Sequence, residues 1–459
     1  MSTYLRPGVY VEENLNALAP SVGPNSNTVA AFIGANNRGP AAATLVTSWS
    51  DYVSKYGSWN GDNKLPIAVK LFFDNGGSSC YVKRVTAGSP VAATRTLTDG
   101  AGTPADIVTF SASNVGAWGN SIYITVTASA VSGRRDVRVA YPDTATVVET
   151  FTDLTFTDTT DSRYGVNFIN ARSKYITAVS EATTAQPSLI SNQALATGAD
   201  GSTPADSDLA AATTAFDTVL NSLILNVPGL TNATHVNTVL SYAESRDDVF
   251  VIIDPVDNTV TNQMALALQY TATSLGAVYY PVVTIADPTV TTQGAVKTVS
   301  PGGAIAGLYS TTDSSRGVFK APAGLNARLS NIVSVATLTN AELDTMNSAT
   351  APVNPIKYVA GSGFVVMGAR TIKAGYADRY IPVRRSLIYL RKALTDLTQY
   401  AIFEPNDAVL WRSLNATVSA FLTDFWSQGG LRGDTPADAF FVKCDEELNT
   451  LAVIDEGKV

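Results

Sequence analysis

Histidine occurs once in these 459 residues, at His235, and cysteine twice, at Cys80 and Cys444. A single imidazole cannot form a His-pair metal site within one chain, and any Ser/His/Asp arrangement would have to use it. His235 lies in the polar run Thr231-Asn-Ala-Thr-His235, expected to lead as a loop into a helix, so its role reads as structural. Two widely separated thiols make neither a disulfide framework nor a zinc knuckle, and both read as small buried residues. Charge is also scarce: Asp, Glu, Lys and Arg make up 15% of the chain, against about 25% in an average domain. Basic residues number 31 and acidic ones 39, for a net charge of −8. Phosphate binding needs a basic face that releases counterions, so nucleic acid is not an expected partner. No run approaches 18 apolar residues, and the opening MSTYLRPGVYVEE has neither a basic nor an apolar leader region. The expectation is a soluble chain, made without a secretory signal and without membrane insertion. A phosphate-cradling GxxxxGK[ST] loop is missing, since Gly457-Lys458 is the only Gly-Lys pair, and Gly361, Gly363 and Gly368 have the wrong spacing for a dinucleotide loop. No cofactor is expected.

Ala, Thr, Ser and Gly are plentiful instead, so much of the surface should be neutral and cheap to desolvate when protein packs on protein. That composition favours assembly. The length predicts two or three domains. Val9, Tyr10, Val11 and Glu12 alternate before a Pro/Asn/Ser stretch, which reads as one strand on a leash (1–27) that must pair with a sheet edge of its own or a neighbouring chain. Residues 28–87 carry an α/β rhythm: a buried strand at 29–34, a Ser-capped helix at 48–56, a helix at 65–75 stopped by Asn75-Gly76-Gly77, and a strand at 80–85. Residues 88–200 turn to Thr-rich short strands and read as an inserted β-rich domain. The α/β rhythm resumes over 201–365, with strands at 222–227, 248–254 and 277–283 and helices at 233–245 and 262–274, predicting a mainly parallel, covered sheet. Asp247, Asp248, Asp254 and Asp257 flank a strand end, where catalytic acids can sit, but solvated acids are the commoner case there.

The last segment, 366–459, is helical. Val383, Leu387, Leu390, Leu394 and Leu397 recur at 4-3-4-3 spacing and predict one buried stripe, with Arg384, Arg385, Arg391 and Lys392 on the opposite, solvent-facing half. The window 370–400 holds seven basic and two acidic residues. From 405 to 428 a longer helix is predicted, with Trp411, Leu414, Val418, Phe421 and Phe425 on one face and Gly429-Gly430 at its end. Its Trp411, Phe421 and Trp426 read as core.

Several strings are less generic. YLRPGVYVEE and NTVAAFIGANNRGP resemble the opening of contractile tail sheath proteins of phages and related injection systems, and AWGNSIYITV (117–126) resembles that family's Trp-Gly-Asn motif. The turn ADG (199–201), AVYYPVVTIADP (277–288), SPGGAIAGLYSTTDSSRGVFKAPAG (300–324), VNPIKY (353–358), GARTI (368–372), YIPVRRSLIYL (380–390), TQYAIFEPND (398–407) and DAFFVKCDEELNT (438–450) follow in family order. Met367 and Tyr400 stand where the family pattern has Trp.

The resemblance implies an α/β sheath core built from N- and C-terminal parts, an inserted outer β-domain, and arms that donate strands to neighbours. It implies no enzyme and no cofactor. Its implied partners are copies of the chain in stacked six-membered rings, a tail tube protein, and baseplate and tail terminator proteins. Assembly is then expected in a host cytoplasm, and residence in a virion tail. Val9, Tyr10, Val11 and Glu12 would supply the N-terminal strand, and Arg384, Arg385, Arg391 and Lys392 a tube-facing basic patch. A C-terminal arm would start at Ile454 and continue through Lys458 and Val459, shorter than the family pattern. The same subunit class serves phages, headless tailocins and extracellular injection systems. Rival readings are an α/β hydrolase-like enzyme, which the lone histidine disfavours, and a tube or baseplate component, which should be smaller and nearly all β.

Overall fold

In a computed structural model, residues 28–455 are described except 60, 62, 257, 258, 374 and 376–378. The expected arm at Val9, Tyr10, Val11 and Glu12, together with Asp257, Lys458 and Val459, therefore lies outside the described residues. The chain divides into two compact units: one holds 28–312 and 321–384, the other 313–320 and 385–459. The sequence reading set the last boundary at 366; the structure sets it at 385 and adds the short segment 313–320.

The first unit is built on an eight-stranded sheet. From one edge its strands are Gly363–Val366, Val353–Val359, Gly276–Tyr280, Val249–Ile253, Ser222–Asn226, Thr28–Ala35, Cys80–Val85 and Thr44–Val46. All pairings are parallel except those of the two edge strands. Ser222–Asn226, Val249–Ile253 and Gly276–Tyr280 are buried at every position, as the unbroken apolar runs require of strands covered on both faces. Local signals hold where they were read. Ser48 Oγ accepts from Asp51 N at 3.1 Å to cap helix Trp49–Tyr56, and Asn75-Gly76-Gly77 end helix Lys64–Asp74. His235 is in the first turn of helix Ala233–Arg246, which the sequence places at 233–245. The helix expected over 262–274 is Val260–Ala267, and Tyr270, Thr273 and Ser274 are buried in an irregular return to the sheet.

Two glycines set how closely helix Gly302–Arg316 approaches helix Lys64–Asp74. A Cβ on Gly303 would lie 2.1 Å from Ala68 O, and one on Gly307 would lie 2.4 Å from Phe72 O. The backbones touch, which is the physical content of the string SPGGAIAG.

The inserted residues form two small antiparallel sheets that pair only within themselves. Trp118, Ile124, Val137, Phe110, Phe156 and Ile176 are among the residues of their shared core. The segments entering and leaving pair with each other through Val91 and Ala199 and through Thr94 and Ala196. The Trp-Gly-Asn motif closes this junction. Asn120 Nδ2 donates to Gly198 O at 2.9 Å and its Oδ1 accepts from Gly198 N at 2.8 Å. Asp200 accepts from Ala117 N at 2.8 Å. A Cβ on Gly119 would lie 2.7 Å from Ala112 Cβ.

Arg38, from the loop after the first strand, is buried with its guanidinium 4.9 Å from the Trp118 ring centre, 5.4 Å from Tyr141 and 4.7 Å from Tyr175. Arg84 holds that loop from below by donating to Asn36 O, Asn37 O and Gly39 O, and burial lowers its pKa. Arg38 thus joins the sheet unit's loop to the inserted domain by desolvated cation–π contacts, each worth about 1–2 kcal/mol. Arg38→Ala is expected to speed hydrogen exchange at the Val91, Thr94, Ala196 and Ala199 amides and to shift Trp118 fluorescence. Unchanged exchange there would show that the ribbon alone holds the junction.

Candidate functional site

The smaller unit packs helix Ala408–Ser427 and the stretch from Arg385 to Thr398 around Val318, Tyr389, Ala393 and Phe425, with Phe319, Leu390, Phe421 and Leu431 against them. Ring centres lie 5.6 Å apart for Tyr389 and Phe425 and 5.7 Å apart for Phe319 and Phe425. Asp407 caps the long helix by accepting from Val409 N and Leu410 N, and Trp411 Nε1 donates to Asn406 Oδ1 at 2.7 Å. Trp411 is buried, and Trp426 Nε1 donates to Gly433 O at 2.9 Å.

The basic face expected at Arg384, Arg385, Arg391 and Lys392 is not one exposed face. Arg385 is 3% exposed and forms a two-pronged ion pair with Asp313, itself 5% exposed, with one contact at 2.8 Å. Helix Ile381–Thr398 buries Ile381, Arg385, Ile388, Tyr389, Ala393 and Leu397. Val383 and Leu387, expected inside, are exposed. The helix is rotated from the expected phase because a buried arginine with a carboxylate partner occupies a core position that sequence spacing assigns to solvent. Arg384 pairs with Asp247 at 3.4 Å and Lys392 with Asp396 at 3.0 Å, while Arg391 is on the exposed side. Ile454 lies in the short helix Leu451–Asp455.

Beside the long helix runs a groove of about 670 Å³, lined by Ala401, Leu414, Val418, Val442, Leu448 and Val453, among others. Ile402, Phe403, Phe441 and Leu451 of the same unit are exposed. Phe440, Phe441, Val442, Lys443 and Cys444 belong to no strand or helix, so their backbone is not committed to a ladder. Cys444 is half-buried here, whereas Cys80 is fully buried and its thiol pKa is pushed up by desolvation.

Asp254, expected among solvated strand-end acids, is 1% exposed. Its two oxygens accept from Gly229 N at 2.8 Å and from Gly302 N at 3.0 Å. Burial raises its pKa to about 6 despite those bonds. A carboxyl raised in the folded state holds more protons than in the unfolded chain between pH ~4 and ~6, so stability falls as pH rises through that window. Asp254→Asn is expected to flatten this slope in urea unfolding series at pH 4, 5, 6 and 7; an unchanged slope would mean that other groups set it. Asp247 and Asp248 are engaged with Arg384 and Arg246. Among the described residues no cluster of His, Cys, Asp and Glu could hold a metal ion, and no helix is long and apolar enough to cross a membrane.

The fold and this helical unit have known counterparts. Residues 377–459 match the model of the phage tail sheath C-terminal domain. The tail sheath protein of Vibrio phage KVP40 is 34% identical over 160 residues, a match covering 34% of this chain and 22% of that protein. The chain thus spans about a fifth of that curated relative. The sheath of an extracellular contractile injection system in its contracted state is 23% identical, with a TM-score of 0.59, covering 100% of this chain and 92% of that one. The helical sheath of the anti-feeding prophage, also contracted, gives 22% and 0.60, covering 100% and 94%. The sheath tail protein of Listeria innocua gives 16% and 0.66, covering 89% and 86%. Over its described residues the chain has the fold of contractile sheath proteins.

Proposed function

We propose that this chain is the structural subunit of a contractile tail sheath: it polymerises as stacked six-membered rings around a tail tube and shortens from a metastable extended form to drive the tube through a target envelope. The observation that carries the reading is the coincidence, on one chain, of a sheath fold over its described residues with a matching sheath C-terminal domain. The role is mechanical, not enzymatic. The free energy for movement resides in subunit contacts that have two packed arrangements, so no reaction is required. In this reading Val9, Tyr10, Val11 and Glu12 add a strand to a neighbour's sheet, and Ile454, Lys458 and Val459 begin the C-terminal arm. Of the expected tube-facing patch, exposed Arg391 is the residue placed toward the tube, and Arg385, buried against Asp313, is not part of it. Exposed ion pairs of about 0–1 kcal/mol each suit a contact that must release. Baseplate and terminator proteins bound the polymer, which is assembled in a host cytoplasm and resides in the tail of a phage, a tailocin or an extracellular injection particle.

Negative-stain electron microscopy of the purified chain tests this. Hollow tubes with sixfold rings are expected, as the contracted-like polymer forms without a tube inside. A monomer that neither polymerises nor coats a tube would overturn the reading.

A further inference from the structure

The strand order of the large sheet reverses at Thr28–Ala35: the chain leaves it for Cys80–Val85 on one side and comes back to Ser222–Asn226 on the other. Connections that depart in opposite directions open a crevice beyond the carboxyl ends of the two strands, the place where open α/β sheets hold ligands. A cavity of about 380 Å³ lies there, a size that suits a small molecule. Lys64 and Ile67 of helix Lys64–Asp74 line it on one side of the reversal. On the other side stand Gly229, Val256 and, from strand Val296–Val299, Lys297. Lys64 reaches across, with its Nζ 3.5 Å from Gly229 O.

The charge of this crevice has one sign. Among the described lining residues the charged ones are Lys64 and Lys297, and the others are apolar, glycine or hydroxyl-bearing. Buried Asp254 does not line it, and its oxygens already accept from Gly229 N and Gly302 N. Residues that adjoin the crevice hold buried polar atoms with no partner among the described residues. Asn226, which ends its strand two positions before Pro228, has none for Oδ1. Gln263 accepts from Val256 N at 3.0 Å through Oε1 and has none for Nε2. Native interiors leave few such atoms, and each one calls for a water or a ligand. We propose that this crevice is a binding site for a small organic anion, a phosphate monoester with an apolar body, held by Lys64 and Lys297 at its phosphoryl group and by Ile67, Val256 and Val299 along its body. Two ammonium groups match a dianion, and lysine binds phosphate as a point charge. The site does not rest on the sheath reading, and neither falls with the other.

Titration calorimetry of the full chain with phenyl phosphate tests the site, and methyl NMR places the ligand. One phenyl phosphate per chain is expected, bound about tenfold more tightly than inorganic phosphate because its ring is buried against apolar walls. Lys64→Gln and Lys297→Gln should each weaken binding about tenfold. Lys174→Gln, at an exposed lysine of the inserted domain, should leave it unaltered. Thr298→Trp, which fills the crevice from an exposed position and removes no charge, should abolish it at an unchanged Tm. The methyl resonances of Ile67, Val256 and Val299 should shift on binding. Absence of saturable binding, full affinity in both lysine variants or in Thr298→Trp, or shifts confined to other methyl groups would overturn the site. Equal affinity for phenyl phosphate and inorganic phosphate would overturn the class of ligand.

Discussion

Arg385→Met alone, or Asp313→Ala alone, is expected to destabilise the C-terminal unit by about 3–5 kcal/mol, because each breaks a buried, two-pronged ion pair from one side. The pair is bidentate and almost fully buried, so water cannot take over from the missing partner without opening the core around Tyr389, Ala393 and Phe425. The double replacement Arg385→Met with Asp313→Leu should recover most of the loss, since two apolar side chains of similar volume need no compensation. Urea unfolding followed by the fluorescence of Trp411 and Trp426, which both lie in this unit, reads the effect directly. Equal losses in the single and double variants would indicate that packing, not charge, is what those positions supply.

A comparably large loss is expected from adding one methyl group at Gly307 or Gly303. The new Cβ would meet backbone atoms of helix Lys64–Asp74, Phe72 O at 2.4 Å or Ala68 O at 2.1 Å, and backbone cannot rotate away as a side chain can. The two helices must separate, at the upper end of the ~1–3 kcal/mol typical of overpacking or beyond it. One separation accommodates both methyls, so Gly303→Ala with Gly307→Ala should cost less than the sum of the single changes. Gly102→Ala, with nothing within 4 Å of its added Cβ, is the matched control. Thermal unfolding of the four variants measures this; additive losses would show that the two contacts yield independently.

What could be read in the sequence was local or carried by whole strings. Ser48, Asn75-Gly76-Gly77 and Gly429-Gly430 act on residues near themselves in the chain, and the cap and stops fall where those residues stand. Unbroken apolar runs gave the central strands, because a strand covered on both faces has no polar side to show. The strings quoted from residue 28 onward follow the order of elements in the sheath fold, and the fold they implied is the one found.

What was not legible depends on partners distant in the chain. Arg385 looks like a solvent-facing residue until Asp313, 72 positions earlier, is placed beside it, and the wrong phase for its helix followed from that one residue. A sequence signal did exist: Ile381, Ile388, Tyr389 and Ala393 make a second apolar stripe interrupted only by Arg385 and Ser386. Asp254 was misplaced for a related reason, since its ligands are backbone N–H groups of Gly229 and Gly302, which no side-chain pattern announces. The Trp-Gly-Asn motif could be recognised but not explained until Arg38 and Gly198 were found against it.

Cryo-electron microscopy of the polymer formed by this chain with and without its tail tube tests the central claim most directly. The account predicts two helical lattices from one subunit, a narrow extended one on the tube and a wide contracted one without it, with the fold of each subunit unchanged and the contacts between subunits rearranged. One lattice in both conditions would contradict a contractile sheath.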